Sequence, residues 1–176
     1  MIAARLVAAC QRAIDAGQTP GAVALVGRGD EVLCHVAVGH RALAPRALPM
    51  RPDTVFDLAS LTKPVATATA FLQLIDAGLV CLRDPIAQYV RWLDPEGLSV
   101  ATLRHLLTHT SGLPAWLPYR ERFEAAGESL PEDDVALREA VVADICALPR
   151  EAPPGERFIY SCLGFIVLAD LSLIHI

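Results

Sequence analysis

The chain has 176 residues, of which 53% are hydrophobic and 20% are charged, and this composition excludes a disordered protein. A formal net charge of −5 argues against nucleic acid as the main partner. The longest stretches without a charged side chain include 64–75, 105–119 and 158–169. The first and last are too short to span a bilayer, and Gly112 and two prolines interrupt the middle one. No membrane span is therefore expected.

The first predicted element is an amphipathic helix over residues 2–16, which Gly17 ends. Its start is not typical of a signal peptide, because Arg5 interrupts the apolar run and only nine residues precede Cys10. A cytoplasmic protein is expected on this sequence, and a periplasmic or exported one if the natural start lies upstream of Met1.

A β-hairpin is predicted next. Residues 21–28 and 31–39 are short, apolar and partly β-branched, and the Arg-Gly-Asp sequence at 28–30 is typical of a turn. Residues 40–53 contain three prolines and are predicted to form a loop.

The longest predicted helix covers residues 60–77. It carries no charge between Lys63 and Asp76, which indicates a helix buried on most sides. Pro64 is compatible with a helix only near the first turn, so the helix is expected to begin within about one turn of Ser60.

The rest of the chain is predicted to be mostly helical. Shorter helices are expected over 84–90 and over 99–107, with Thr102 as the N-cap of the second. Residues 109–114 are a predicted loop, and 131–148 are a predicted helix with acidic side chains in the first turn.

The five cysteines are odd in number, and no two have C-x-x-C spacing. A disulfide framework and a zinc site are therefore not expected, and buried free thiols are the prediction. The five residues are Cys10, Cys34, Cys81, Cys146 and Cys162.

Ser60 and Lys63 are the strongest chemical signal. Three residues apart on a helix, they share a face, and the start of a helix favours developing negative charge. A serine hydroxyl needs a neighbouring base, and a neutral lysine can act as one where an arginine cannot. Lys63 is the single lysine beside fourteen arginines, which indicates that an amine is needed here, although S-x-x-K spacing also occurs by chance.

Other candidate sites are weaker. His105 and His109 are four residues apart, but the H-E-x-x-H pattern of a zinc helix is absent, and both are interpreted as helix-end and loop-anchoring residues. Ser111 lacks the flanking glycines of a G-x-S-x-G nucleophile. Trp116 and Tyr119 either rim a substrate cleft or pack a loop.

Three segments resemble, in order, motifs of the serine β-lactamase and penicillin-binding protein superfamily. Residues 52–63 resemble its nucleophile region, 104–113 (RHLLTHTSGL) resemble a second segment, and 158–164 (FIYSCLG) resemble its Y-x-N motif. The chain looks most like class C β-lactamases and the β-lactamase-like esterases of carboxylesterase family VIII. The resemblance implies an α+β fold, in which an N-terminal helix and hairpin accompany a helical subdomain and the C-terminal sheet strands are missing from this chain.

The resemblance also implies roles for individual residues. Ser60 would be the acylated nucleophile, Lys63 would help deprotonate it, and Tyr160 would be the general base or proton shuttle. Cys162 stands where the family has Asn and would contact substrate weakly, because a thiol is a weak donor and acceptor. The implied substrate is a small-molecule ester or β-lactam-like compound, and no metal or organic cofactor is implied.

The family therefore implies a serine hydrolase, and the Cys162 departure favours an esterase. The alternatives are a β-lactamase or D-alanyl carboxypeptidase, or a penicillin-recognising module without turnover. The sequence leaves the oligomeric state open.

The third motif of the family, K-T-G or H-x-G, does not follow Tyr160. Residues 1–170 are therefore expected to be a partial domain, with a helix, hairpin and loop over 1–58 and a helical region with the nucleophile over 59–170. Residues 171–176 resemble one reading frame of a common sequencing adapter and are expected to be a non-native tail. Such a fragment is expected to have little or no turnover and to aggregate through the hairpin edge.

Overall fold

A computed structural model describes residues 1–90, 98–125, 127, 131 and 133–175 of the chain. The chain divides into two compact units, residues 1–57 and residues 58–176, here called the N-terminal unit and the helical unit. In the described part of the chain, no helix is both long and apolar enough to cross a membrane.

The N-terminal unit is one helix against a small antiparallel sheet. Helix α1 covers Ile2–Asp15, and the strands are β1 (Gly21–Arg28), β2 (Glu31–Ala42) and β3 (Leu48–Pro49), in the order β1-β2-β3. The predicted helix and hairpin are confirmed.

Gly39 permits the close approach of α1 to the sheet. Its φ is +78°, and a Cβ there would lie 2.8 Å from Cδ1 of Ile14 and 2.5 Å from the carbonyl oxygen of Pro20. Only a residue without a side chain fits both the conformation and the space.

The prediction of a loop over 40–53 is wrong in part. Strand β2 continues to Ala42 and pairs with β3, so that His40 lies opposite Pro49 and Ala42 opposite Leu48. The prolines suggested a loop, but a proline is tolerated on an edge strand because the outward side needs no backbone donor.

In the helical unit, the predicted helix over 60–77 consists of three kinds of helical turn. A 3₁₀ turn covers Ala59–Leu61, a π-helical turn covers Lys63–Ala68, and helix α2 covers Thr69–Asp76. The Thr69 hydroxyl donates to the Pro64 carbonyl oxygen at 3.1 Å, five residues back, and so satisfies an acceptor within the wide turn.

The prediction that this helix is buried on most sides is wrong. Phe71 and Leu74 are buried, but Leu61, Val65 and Leu72 are 59%, 59% and 65% exposed. The helix packs through one face only. A run of uncharged residues does not by itself indicate that every face is buried.

The predicted helix over 84–90 is reduced to a single 3₁₀ turn, Ile86–Gln88. Pro85 is extended, and the backbone groups on either side of it bond elsewhere. The Ile86 N–H donates to the Ala101 carbonyl, and the Leu103 N–H donates to the Asp84 carbonyl. These long-range bonds replace the bonds that a helix would make.

The segment predicted as a helix over 99–107 forms a 3₁₀ turn, Leu98–Val100, and helix α3, Leu103–Leu107. The predicted N-cap is confirmed, since the Thr102 hydroxyl accepts from the His105 N–H at 3.4 Å. In return, the Thr102 N–H donates to Nδ1 of His105 at 3.2 Å.

Three further helices lie in the described part of the unit. Helix α4 (Tyr119–Ala125) was not predicted, whereas α5 (Asp134–Ala147) confirms the helix expected over 131–148. Asp133 caps α5 by accepting from the Ala136 N–H at 2.8 Å. The predicted first-turn residue Glu132 lies outside the described residues.

Helix α6 (Cys162–His175) carries the apolar stretch near the C-terminus and continues past residue 170. Leu171 is buried in the core, and Ile176 lies outside the described residues. The non-native origin of 171–176 stays a prediction. The largest buried side chains of the unit include Phe71, Ile86, Leu98, Leu103, Leu106, Leu113, Ile145, Leu163 and Leu168.

All five cysteines are free thiols, as predicted, but only Cys34 and Cys146 are buried. Cys10 and Cys162 are half-buried, and Cys81 is exposed. The prediction of buried thiols is therefore correct for two of the five.

Candidate active site

A single cavity of the helical unit brings together Ser60, Lys63 and Tyr160, the three residues predicted to be catalytic. Its volume is about 500 Å³. His109 also lines it, and the other lining residues are apolar: Leu58, Leu61, Pro64, Ala68, Leu107 and Phe165. The cavity thus places a hydroxyl, an amine, a phenol and an imidazole on an otherwise apolar wall.

Ser60 and Lys63 are in contact. The Lys63 Nζ donates to the Ser60 Oγ at 3.4 Å, across the junction of the 3₁₀ turn and the π-helical turn. The i, i+3 spacing places both side chains on one face, as the sequence predicted. Lys63 is half-buried beside the apolar side chains of the cavity wall.

The backbone directly before Ser60 is strained. Ala59 has a φ of +43°, which a residue with a Cβ adopts at a cost of about 1–3 kcal/mol. Strained positions and π-helical turns both cluster at functional sites. No sequence signal indicated this conformation, because alanine has no preference for it.

Tyr160 lies within reach of the lysine charge. The Lys63 Nζ is 5.2 Å from the centroid of the Tyr160 ring and 6.0 Å from that of Phe165. Both distances are typical of cation–π contacts. Lys63 therefore contacts both the Ser60 hydroxyl and two aromatic rings.

The loop over 109–115 holds the segment that carries Tyr160. The Ile159 N–H donates to the His109 carbonyl at 2.9 Å, and the Cys162 N–H donates to the Ala115 carbonyl at 2.8 Å. Backbone bonds on both sides of Tyr160 thus anchor it to the same loop.

Gly112 allows the same loop to lie close to the backbone of residues 151–155. Its φ is +82°, and a Cβ there would overlap the carbonyl oxygen of Ala152. The Gly112 carbonyl accepts from the Glu151 N–H at 2.8 Å, and the Thr110 carbonyl accepts from the Gly155 N–H at 2.8 Å. The two backbones therefore lie too close together for any side chain at 112.

His109 is the site residue that sequence reasoning missed. The sequence indicates a loop-anchoring residue, and the bond from the Ile159 N–H to the His109 carbonyl agrees with that. Its ring also faces the cavity, with centroids 4.5 Å from Tyr160, 5.0 Å from Phe165 and 5.8 Å from Phe158. Burial and the nearby charge of Lys63 lower the pKa of His109. The only sequence signal was its place in the second family-like segment.

The other candidate residues are not on the cavity wall. Cys162 is the first residue of α6 and is half-buried, and its proposed substrate contact stays a prediction. Ser111 is buried, and its hydroxyl accepts from the Leu113 N–H at 3.4 Å. Trp116 is 64% exposed, and Tyr119 packs against the hydrophobic core.

Comparison with known proteins identifies the family. The family model described as Beta-lactamase matches residues 4–172 of the chain. The chain therefore belongs to the β-lactamase family, and the predicted superfamily and α+β fold class are confirmed.

The similar proteins include an esterase and a penicillin-binding protein. Esterase EstB of Burkholderia gladioli is 36% identical over 174 residues, which cover 91% of this chain and 42% of the esterase. Penicillin-binding protein 4* of Bacillus subtilis is 31% identical over 147 residues, covering 82% of this chain and 30% of that protein. The chain thus spans less than half the length of either relative.

A solved structure gives the same result for the fold. The octameric penicillin-binding protein homologue from Pyrococcus abyssi superposes with a TM-score of 0.73 at 29% identity. The superposition covers 96% of this chain and 38% of the homologue.

Proposed function

We propose that this chain carries the nucleophile and base of an esterase that acts through an acyl-enzyme on Ser60. The contact of 3.4 Å between Ser60 Oγ and Lys63 Nζ, in a cavity shared with Tyr160, is the observation that carries the proposal. Membership of a family that includes an esterase supports it.

In the proposed acylation, Ser60 Oγ attacks the ester carbonyl carbon, and its proton passes to a neutral Lys63 or to the phenolate of Tyr160. The bond between the carbonyl carbon and the alkoxy oxygen then breaks, and the same proton is delivered to the leaving alkoxide. In the second half, water adds to the acyl carbonyl, and its proton replaces that of Ser60 as the carboxylic acid leaves. No atom outside ester and water is consumed.

An ester suits the site better than an amide. Six of the lining side chains are apolar, which favours an uncharged acyl group. The family resemblance places Cys162 at the third position of the Y-x-N motif, where it would offer only a thiol in place of the amide that orients substrate and lysine. An ester has the better leaving group and places the milder demand on these contacts.

A second candidate is a penicillin-recognising protein, and the similarity to penicillin-binding protein 4* favours it. It uses the same Ser60 acylation, with a β-lactam ring as the acyl donor. The two candidates differ in which probe leaves its acyl group on the protein.

The test counts the acyl groups on Ser60, because the acyl-enzyme is the intermediate that the proposal names. The full chain is mixed with p-nitrophenyl butyrate, and the burst of p-nitrophenol and the mass of the peptide containing Ser60 are measured. We expect one butyryl group on Ser60 of the wild-type chain. The Ser60→Ala variant should carry none, and the Ser172→Ala variant should carry one. Ser172 is a matched control because its hydroxyl bonds locally to the Ala169 carbonyl at 2.7 Å, outside the cavity.

Two results would contradict the proposal. An unmodified Ser60 in the wild-type chain after incubation with the ester would remove the nucleophile assignment. Stable labelling of Ser60 by a fluorescent penicillin, without any labelling by the ester, would show that the protein recognises penicillins and is not an esterase.

A further inference from the structure

We infer that His109 is a positioning residue for the proposed reaction: its neutral imidazole holds the ring of Tyr160 and the peptide that follows it in place beside Lys63. The inference rests on the proposed function of Ser60, Lys63 and Tyr160, and it assigns a role to a fourth residue of the same cavity.

His109 contacts two consecutive residues of the segment that carries the phenol. Its ring lies 4.5 Å from the Tyr160 ring, centroid to centroid, with 38° between the planes. Its Nδ1 accepts from the Ser161 N–H at 3.1 Å. One side chain thus fixes both the face of the Tyr160 ring and the backbone behind it.

The hydrogen bond from Ser161 also fixes the tautomer of His109. A ring nitrogen that accepts from an N–H has no proton of its own, so the proton of the neutral imidazole lies on Nε2. Protonation of Nδ1 would remove the acceptor and release the Ser161 peptide. The arrangement therefore needs the neutral form of His109.

The backbone of His109 is held in an unusual conformation. Its φ is +57°, in the left-handed region that residues other than glycine rarely adopt. Its N–H donates to the Leu106 carbonyl at 3.2 Å, and its carbonyl accepts from the Ile159 N–H at 2.9 Å. These bonds on both sides aim the ring at the cavity at the expense of local strain.

The charges around the ring favour the same neutral state. Among the described residues, the titratable groups that face His109 are Lys63 and Tyr160. Burial, and next the charge of Lys63, lower the pKa of His109 below its usual 6.5. The neutral form that the hydrogen bond from Ser161 requires is therefore also the form that the surroundings of the ring favour.

Two substitutions separate the contacts. His109→Asn keeps an acceptor near Nδ1 and tolerates the left-handed backbone but removes the ring. His109→Phe keeps a ring for Tyr160 and removes the acceptor. His105→Asn is the matched control, since it makes the same exchange at a histidine that caps α3 and does not line the cavity.

The readout is the acylation rate constant of Ser60, measured from the p-nitrophenol burst, with melting followed by circular dichroism. Both His109 variants are expected to acylate about ten- to a hundredfold more slowly, as for misplaced catalytic groups, with ester affinity changed much less. His105→Asn is expected to acylate within about twofold of the wild-type chain, since no cavity contact changes. The wild-type rate should fall in acid as His109 ionises below pH 6.5, and His109→Phe should lose that limb.

Acylation of both variants at wild-type rates with an unchanged pH profile would overturn the inference. If His109→Phe does not fold, the acylation rate of His109→Asn tests the inference by itself. Long-range ¹H–¹⁵N spectra of the wild-type chain add a test without substitution, because an Nδ1–H tautomer of His109 would also overturn the inference. A wild-type chain that is not acylated at all would instead refute the proposed function, and the positioning role with it.

Discussion

The hydroxyl of Ser161 donates a hydrogen bond of 2.6 Å to the carbonyl oxygen of Pro114, 47 residues earlier in the chain. The same hydroxyl accepts from the Gly164 N–H at 3.2 Å, within the first turn of α6. Ser161 therefore ties the start of α6 to the loop over 109–115. Since Tyr160 precedes it directly, this buried hydroxyl helps to fix the position of the phenol.

Ser161→Ala is expected to lower the free energy of unfolding by about 1–3 kcal/mol, because the carbonyl of Pro114 and the N–H of Gly164 lose their partner. Urea denaturation measures the change. Ser172→Ala removes a hydroxyl whose bond is local, and it should cost under about 1 kcal/mol. Equal losses in the two variants would contradict the special role of Ser161.

Lys63→Arg tests whether an amine that can be neutral is required. Arginine keeps the positive charge but does not lose its proton, so acylation of Ser60 is expected to fall about 10²–10⁴-fold. The burst rate with p-nitrophenyl butyrate gives the number. Arg83→Lys makes the reverse exchange at an exposed site outside the cavity and is expected to leave the rate unchanged.

Cys162→Asn restores the residue that the family motif has at this position. If Cys162 is what disfavours β-lactams, the variant should be labelled by a fluorescent penicillin about tenfold faster, the effect of one hydrogen bond of about 1.4 kcal/mol. Cys81→Asn, at an exposed cysteine, is the control. No gain in labelling would show that the thiol is not the cause.

Gly112→Ala is expected to destabilise the chain more than Gly78→Ala does. Both glycines have positive φ values, +82° and +71°, so both variants incur about 1 kcal/mol of backbone strain. At Gly78 no atom lies within 4 Å of the added Cβ, whereas at Gly112 the carbonyl of Ala152 must move. The difference between the two melting temperatures measures the clash alone.

The buried thiol of Cys146 is expected to make the free energy of unfolding decrease at alkaline pH. Burial, with a smaller effect of Asp170, raises the pKa of this thiol from 9.0 to about 11. Between these values the unfolded chain releases a proton that the folded chain keeps, so the free energy of unfolding decreases as the pH rises. Cys146→Ala should reduce this decrease in denaturation curves from pH 9 to 11, and an unchanged slope would contradict the assignment.

The features that the sequence predicted well are local. The Ser60–Lys63 contact follows from helical spacing, the Thr102 cap lies one turn from its partner, and the hairpin joins adjacent segments. Each depends on residues within a few positions of one another. Residue types and spacing therefore suffice to predict them.

The features that were missed depend on distant parts of the chain. The predicted helix over 84–90 is replaced by bonds to residues 101–103, and His109 owes its place to a segment 50 residues later. The left-handed backbone of Ala59 has no counterpart in the conformational preference of alanine. For these features, tertiary contacts override local preference.

The π-helical turn over Lys63–Ala68 sets the angle around the helix axis between the residues of the proposed reaction, Ser60 and Lys63, and the buried Phe71. Each residue of an α-helix advances about 100° around the axis, and a π turn accommodates about one extra residue. If the same six residues were wound as a regular α-helix, Ser60 and Lys63 would be rotated about 100° away from their present bearing relative to the buried Phe71. The wide turn thus fixes the angle around the helix axis between two groups of side chains. The face of α2 that carries Phe71 packs against the core, and Ser60 and Lys63 point in a different direction, toward the cavity.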